Sequence, residues 1–140
     1  MRTLLSLAAL ALLSLLPAGC ASPRADHLPA VGALGPYSAA VSAGDLVFLS
    51  GKIGKRGVAF PEEVGTAIDA VEKDLAALGI SLADVVSVSV FVTDMELYPQ
   101  LNAVYAERFP KPYPARTTVG VAALPGTARV EIQAVAARRR

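Results

Sequence analysis

Two stretches near the C-terminus constrain the fold of this chain more than any others. Residues 114–121 read Pro-Ala-Arg-Thr-Thr-Val-Gly-Val, and residues 130–134 read Val-Glu-Ile-Gln-Ala. Both alternate in character with a period of two, which is typical of β-strands. Pro125 and Gly126 lie between them and form a turn signal. The sequence therefore predicts two strands joined by a loop.

Each of these strands carries one strong charge on its polar side, Arg116 in the first and Glu131 in the second. A charge that enters a strand among apolar residues must reach water or a partner. Two structural roles are open: an exposed strand face, or an ion pair between the two residues. A functional role is open as well, because the planar fork of an arginine can bind a carboxylate through two parallel N–H donors.

The rest of the chain predicts three more strands, at residues 37–42, 46–50 and 85–93, and two helices. The first helix opens at Pro61 and ends before Gly79, and a second follows Asp94. The order β-β-α-β-α-β-β predicts an α+β fold with two helices on one face of a mixed sheet. Because valine-rich strands leave the other face apolar, we expect oligomerisation to cover it. The apolar stripe of the first helix consists of Val64, Ile68, Val71, Leu75 and Leu78.

The first twenty residues read as a leader. Arg2 supplies a positive start, and residues 4–16 form an apolar run. This run is shorter than the roughly 20 residues that a bilayer span needs, and the pattern is typical of a secretory signal peptide. The leader ends in Ala-Gly-Cys, which resembles the bacterial lipobox. Cys20 is therefore predicted to be lipidated. The alternatives are ordinary cleavage near Ala21 and an apolar N-terminus that is not cleaved.

Residues 21–34 contain Ser, Pro, Asp and Gly without apolar periodicity, which predicts a flexible tether. The folded domain is then expected to span residues 35–140. We expect an exported chain in the cell envelope or periplasm, in contact with the membrane only through the lipid anchor.

The composition argues against several classes of protein. The chain has 13 basic and 12 acidic residues and a net charge of +1, which offers no electrostatic basis for binding nucleic acid. A single cysteine excludes an internal disulfide framework. The only histidine is His27, and no His, Cys, Asp and Glu cluster has metal-ligand spacing, so we predict no metal site.

Six short motifs are similar to those of the RidA family, also called YjgF, of imine and enamine deaminases. They occur in the same order from about Leu34 to the C-terminus, and the Pro-Ala-Arg strand followed by Val-Glu-Ile is the signature of that family. The motifs are Gly-Pro-Tyr-Ser at 35–38, Leu-Ser-Gly at 49–51, Val-Phe-Val-Thr-Asp-Met at 90–95, Asn-Ala-Val-Tyr at 102–105, Pro-Ala-Arg-Thr-Thr-Val at 114–119 and Val-Glu-Ile at 130–132.

The resemblance implies a chorismate-mutase-like fold and a homotrimer whose sheets pack into a central barrel, with ligand pockets in the clefts between subunits. It also implies hydrolysis of small, reactive 2-imino and enamine acids to 2-oxo acids and ammonia, without a metal or an organic cofactor. By this resemblance Arg116 grips the substrate carboxylate, Glu131 orients the attacking water, and Tyr37 helps to close the pocket. The family positions that line the pocket match Ser50, Gly51, Asn102 and Thr118.

Each of these residues also has a purely structural interpretation. The alternatives are a sheet-edge aromatic for Tyr37, a partner of a local backbone group for Ser50, a helix-surface or capping amide for Asn102, and pairing with Arg129 or Arg138 for Glu131.

Two further features leave the substrate and the activity open. Lys52 stands where the family usually has Gln, and a lysine near Arg116 could tighten anion binding or change substrate choice.

An exported copy would also meet little of the aminoacrylate that cytoplasmic pyridoxal-phosphate enzymes release. The alternative is a non-enzymatic envelope module that binds a small carboxylate or a protein partner in the same clefts.

Overall fold

The structure is a computed structural model that describes residues 25–138. In this range the chain forms seven strands and two helices, with short 3₁₀ turns at Leu82–Asp84, Met95–Leu97 and Pro125–Thr127. The elements are β1 (Asp26–Pro29), β2 (Ser38–Ala43), β3 (Leu46–Leu49), β4 (Lys52–Ile53), α1 (Phe60–Ala77), β5 (Val85–Val92), α2 (Tyr98–Arg108), β6 (Ala115–Gly120) and β7 (Val130–Ala137).

All seven strands belong to one mixed sheet. Its order is β1-β2-β3-β7-β5-β6, and the short β4 also pairs with β7. Strands β5 and β6 run parallel, and the connection between them contains α2, as a parallel pair requires. The other pairs are antiparallel. The predicted α+β fold is confirmed.

Helix α1 forms where the sequence predicts it. Pro61 lies in its first turn with Glu62 and Glu63, where a missing N–H costs nothing and carboxylates complement the helix dipole. Beyond its last turn Gly79 has a φ of +72°, which lets the chain leave the helix at little steric cost. Four residues of the predicted stripe have no solvent exposure, namely Val64, Ile68, Val71 and Leu75.

The two faces of the sheet differ in how they are covered. One face packs against the helices through buried residues such as Val90 and Ile132, and it forms the core. On the other face, hereafter the open face, Phe48 and Val119 remain 43% and 40% exposed. The strand alternation places Glu131 and Gln133 on this open face, next in sequence to core residues on either side.

The N-terminal strand corrects part of the predicted tether. Residues 26–29, Asp-His-Leu-Pro, form β1 and pair antiparallel with β2, with His27 opposite Val41. His27 Nδ1 also lies 3.0 Å from Ser38 Oγ. Main-chain pairing with an existing strand stabilises this segment, and a four-residue strand is too short to show a sequence period. The folded part therefore begins before Gly35.

The predicted leader and Cys20 lie outside the described residues. Within residues 25–138, neither helix is both long and apolar enough to cross a membrane.

Candidate functional site

The seven predicted site residues fall into two groups on opposite faces of the sheet. Arg116 and Thr118 of β6 lie on the helix-covered side with Asn102 of α2, and Tyr98 and Tyr105 join them there. We call these five residues the Arg116 cluster. The second group lines a cavity of about 580 Å³, the Glu131 pocket. Its lining residues are Leu34, Gly35, Tyr37, Ser50, Gly51, Ile53, Phe91, Pro125, Glu131 and Gln133.

In the Arg116 cluster, the guanidinium is held by side chains of α2. Its Nη2 donates to Asn102 Oδ1 at 2.6 Å and to Tyr98 Oη at 3.1 Å. Its Cζ lies 4.5 Å from the centroid of the Tyr105 ring and 5.6 Å from that of Tyr98. Two hydrogen bonds and two cation–π contacts therefore fix the position of a half-buried charge at the edge strand of the sheet. Asn102 is thus a partner of Arg116 rather than a surface or capping amide.

Tyr105 forms the floor of the Arg116 cluster. It is 5% exposed and stacks on Phe109, with ring centroids 4.1 Å apart. Burial raises the pKa of Tyr105 to about 12, against the opposing effect of the Arg116 charge. Among the described residues, neither the Tyr105 hydroxyl nor Thr118 Oγ1 has a hydrogen-bond partner, although both atoms are buried. Burial of Tyr105 therefore places a desolvated ring beneath one half-buried cation.

The Glu131 pocket is built on the open face around the start of β7. Glu131 lies opposite Phe91 of β5 and opposite Ile53 of β4, and all three line the cavity. Gly51 is essential to its shape, because a Cβ at this position would overlap the Glu131 carboxylate. Within residues 25–138 no hydrogen bond or ion pair engages Glu131, so its carboxylate is available to a ligand.

Tyr37 and Ser50 stand at the same pocket in different ways. Tyr37 precedes β2 and is 47% exposed, so its ring borders the cavity at the surface. Ser50 Oγ donates to the backbone oxygen of Ser38 at 2.7 Å. The alternative interpretation of Ser50, satisfaction of a local backbone group, is therefore correct for its proton, while its oxygen can still accept a hydrogen bond.

The basic residues considered as partners of Glu131 bind elsewhere. Arg129 donates its backbone N–H and its Nε to the carboxylate of Glu63, each at 2.7 Å, and Glu63 is 1% exposed. Arg138 donates to Ser42 Oγ at 3.2 Å. The Arg129–Glu63 pair instead ties the start of β7 to α1, which fixes the strand that carries Glu131. An ion pair between Arg116 and Glu131 is likewise absent from the described residues.

Within one chain, β7 and β5 lie between Lys52 and Arg116, so Lys52 can add charge beside Arg116 only between two copies. Its position opposite Ile132 in the β4–β7 pair turns it to the helix side, where Nζ lies 2.5 Å from Asp74 Oδ2. Both side chains are 15% exposed. The charge of Lys52 is thus compensated by α1.

Arg116 and Glu131 cannot meet on one ligand within a single chain. Strand β5 separates β6 from β7, so the two backbones are about 10 Å apart across the sheet. In addition, Arg116 aligns with Val88 and Glu131 with Phe91, three residues further along β5. The two side chains also project from opposite faces. A site that uses both residues needs two copies of the chain.

Sequence reasoning missed Tyr98 and Tyr105 in the Arg116 cluster. Around the Glu131 pocket it missed Leu34, Gly35, Ile53, Phe91, Pro125 and Gln133. A signal existed for Tyr105, since it lies three residues after Asn102, one helical turn away on the same side of α2. Tyr98 precedes Asn102 by four residues, a spacing that also places it one turn away on the same side of α2. Residues 25–138 hold no group of three or more His, Cys, Asp or Glu side chains that could bind a metal ion.

Comparison with known proteins settles the family. A family model described as Endoribonuclease L-PSP matches residues 28–138. A 2-iminobutanoate/2-iminopropanoate deaminase of Dermatophagoides farinae is 41% identical over 109 residues, which cover 73% of this chain and 85% of that protein. This chain belongs to the RidA (YjgF) family.

Solved structures of family members share the fold. RidA from the Antarctic bacterium Psychrobacter sp. PAMC 21119 is 34% identical, with a TM-score of 0.73, and the match covers 83% of this chain and 98% of that one. Escherichia coli TdcF, solved with bound serine, is 33% identical with a TM-score of 0.71, over 77% of this chain and 92% of that one. The RidA fold of this chain, a mixed sheet with two helices, is therefore established.

Proposed function

We propose that this protein hydrolyses the C=N bond of small, reactive 2-imino acids, and of the enamines that tautomerise to them, to give 2-oxo acids and ammonia. One observation carries the proposal: a carboxylate without a protein partner in residues 25–138, that of Glu131, faces a cavity of about 580 Å³. The name of the Dermatophagoides farinae relative, an iminobutanoate/iminopropanoate deaminase, supports the same reaction.

The proposed reaction needs three functions from the protein. Arg116 holds the substrate carboxylate and so fixes the imine carbon in place. Glu131 accepts a hydrogen bond from a water molecule, directs its oxygen at the imine carbon and takes up its proton. From the protonated imine this addition gives a neutral carbinolamine. Glu131 returns the proton to its nitrogen, the C–N bond breaks as the C–O bond becomes the carbonyl, and the hydroxyl proton leaves with the nitrogen as ammonium. Tyr37 borders the cavity and restricts the entry of bulk water.

We further propose that the complete site forms between neighbouring copies of a homotrimer. Strand β6, with Arg116, is an edge strand, and the open face with Phe48 and Val119 is apolar and exposed. A cyclic assembly brings an edge of one copy against a different surface of the next. Contact between the β6 edge and the neighbour's Glu131 pocket would combine the two groups, and the open faces would close into the interior of the trimer. Light scattering of the chain without residues 1–20 should report three copies, and a stable monomer at micromolar concentration would contradict the assembly.

The test of activity uses imines generated from several amino acids by an L-amino-acid oxidase. The mature protein should accelerate the loss of 2-iminobutyrate over a buffer blank. If the protein binds 2-oxobutyrate but does not accelerate the loss of the imine, the proposal of an enzyme would be replaced by that of a binding protein.

The composite site has its own test by complementation. Arg116→Ala and Glu131→Gln trimers are each expected to be inactive, and they are unfolded together and refolded as a mixture. In a random mixture about one quarter of the sites combine an intact Arg116 from one copy with an intact Glu131 from the next. Recovery of activity near this fraction supports a shared site. A mixture as inactive as its components, in trimers shown to have exchanged subunits, would contradict it.

The second candidate function is a module that binds a small carboxylate without turning it over. The leader favours it, because an exported protein meets few reactive imines. The serine bound to Escherichia coli TdcF is an observation of ligand binding by a relative. Binding of 2-oxobutyrate without any imine hydrolysis would distinguish this function from the first.

We also propose that the chain is exported and attached to a membrane through Cys20, on the basis of the leader and its Ala-Gly-Cys end. Cys20→Ser should release the protein from the membrane fraction or leave the precursor uncleaved. A soluble wild-type protein that begins at Ala21 or Ser22 would instead establish simple secretion.

A further inference from the structure

Tyr98 touches Arg116 both with its ring and with its hydroxyl. It is the first residue of α2 and is half-buried. Its hydroxyl oxygen lies 3.1 Å from Arg116 Nη2, and its ring centroid lies 5.6 Å from Cζ. The ring contributes to holding the cation, whereas the hydroxyl occupies a hydrogen-bond donor of the proposed substrate anchor.

The donors of Arg116 can be counted one by one. Nη2 carries two N–H groups and has two protein acceptors, Asn102 Oδ1 at 2.6 Å and Tyr98 Oη at 3.1 Å. Within residues 25–138, Nη1 and Nε make no hydrogen bond to the protein. Both donors of Nη2 are therefore engaged, while three donors on the other two nitrogens remain for a ligand.

The engaged nitrogen is the one that a bidentate ligand needs. A carboxylate binds a guanidinium through two parallel N–H groups on adjacent nitrogens, either Nη1 with Nη2 or Nε with Nη2. Each of these pairs includes Nη2. A carboxylate can reach Arg116 with a single hydrogen bond as the structure stands, and the second bond requires that one protein acceptor be displaced.

We propose that the Tyr98 hydroxyl competes with the substrate carboxylate for Nη2 of Arg116 and thereby sets the affinity and selectivity of the anchor. The proposal rests on the proposed role of Arg116 in binding a carboxylate. Tyr98 is the acceptor that yields, because its hydrogen bond is 0.5 Å longer than that of Asn102. The competition weakens the binding of every small carboxylate, including the 2-oxo acid product. A ligand that accepts only one hydrogen bond from Arg116 is not affected by it.

The test is calorimetric titration of the assembled protein with 2-oxobutyrate and with its uncharged amide. Tyr98→Phe keeps the ring contact with Arg116 and removes only the competing oxygen. It should bind 2-oxobutyrate about threefold to tenfold more tightly, the effect of one net hydrogen bond, and bind the amide as the wild type does. Tyr113→Phe is the matched control, because it removes a hydroxyl from a 45% exposed ring that does not contact Arg116, and its affinity should be unchanged.

A second background isolates the mechanism. In Arg116→Lys the ammonium has no fork, so adding Tyr98→Phe should produce no gain in affinity. A gain in affinity for 2-oxobutyrate in the Arg116→Lys background would overturn the competition. Unchanged or weaker binding by Tyr98→Phe alone would also overturn it, and Tyr98 would then only orient Arg116. If instead the wild type fails to bind 2-oxobutyrate, or Arg116→Ala binds it equally well, the proposed function itself is overturned together with this inference.

Discussion

The Arg116 cluster and the Glu131 pocket each contain one strong charge from a C-terminal strand, but the protein treats the two charges in opposite ways. Arg116 is held by two hydrogen bonds and lies over two aromatic rings on the helix-covered side. Glu131 has no such partner within residues 25–138 and faces an open cavity. The difference matches the proposed roles, because an anchor gains from a fixed position while a group that handles water and protons must remain free to engage them.

The largest effect is expected from removal of the anchor. Arg116→Ala should lower kcat/KM by about 30-fold to 4,000-fold, which corresponds to the roughly 2–5 kcal/mol lost when one member of a desolvated charge pair is truncated. Arg116→Lys should be nearly as inactive, because it keeps the charge and loses the fork. Steady-state kinetics with 2-iminobutyrate provide the measurement, and light scattering provides the control for assembly. An Arg116→Ala variant as fast as the wild type would show that the anchor lies elsewhere.

A smaller effect, confined to turnover, is expected at the free carboxylate. Glu131→Gln keeps the size of the side chain and removes its basicity, so kcat should fall about 100-fold. The affinity for 2-oxobutyrate should stay within about threefold of the wild type, because the anchor is intact. Equal losses in kcat and in product affinity would mean that Glu131 binds substrate and does not act on water.

A pair of glycines tests how far the Glu131 pocket depends on missing side chains. A Cβ at Gly51 would overlap the carboxylate of Glu131, whereas a Cβ at Gly54 would overlap the backbone oxygen of Glu63. A side-chain end can move aside, but a backbone oxygen in a helix cannot. Gly51→Ala should therefore lower kcat about tenfold at nearly unchanged stability, by displacing a group that supplies general acid–base catalysis. Gly54→Ala should destabilise the fold by about 2 kcal/mol or more, as overpacking does. Thermal unfolding and steady-state kinetics of both variants measure the two effects. A stability loss in Gly51→Ala together with a stable Gly54→Ala would contradict this interpretation of the pocket.

The last effect is confined to high pH and concerns Tyr105, the floor of the Arg116 cluster. The pKa of Tyr105 is raised from 10.0 to about 12, so the unfolded chain loses this proton first as the pH rises. The contribution of Tyr105 to stability is complete below pH 10 and is lost between pH 10 and about 12. Tyr105→Phe should abolish that loss, which amounts to about 2–3 kcal/mol in full. Denaturant unfolding of both proteins at pH 9 and pH 11 measures about half of this difference, and identical pH slopes for the two proteins would contradict the raised pKa of Tyr105.

Sequence periodicity predicted the elements well because local rules dominate them. The stripe of α1, from Val64 to Leu75, is buried as expected, and β6 and β7 alternate as their residues indicate. The period of a strand shows which side chains share a face, but it does not show which face meets the helices. The sequence therefore did not reveal that Arg116 and Glu131 project to opposite sides.

The remaining differences arise from contacts between distant segments. Strand β1 is stabilised by pairing with β2, and nothing within its four residues indicates it. Lys52 pairs with Asp74, which lies 22 positions away in α1, and no local sequence pattern predicts this ion pair. The stacking of Arg116 on Tyr105 follows from the packing of α2 beside an edge strand, and this arrangement depends on the whole fold.

Under the proposed lipid anchor at Cys20, strand β1 would limit how far the domain can lie from the membrane. For a chain anchored at Cys20, only residues 21–25 separate the lipid from the first paired residue, Asp26. A segment of this length spans at most about 18 Å when fully extended, whereas a tether that continued to Leu34 would reach about 50 Å. Under that proposal, the connecting segment would keep the β1 edge of each copy close to the bilayer surface. In the proposed trimer, three such segments would restrict the tilt of the assembly relative to the membrane as well as its distance from it.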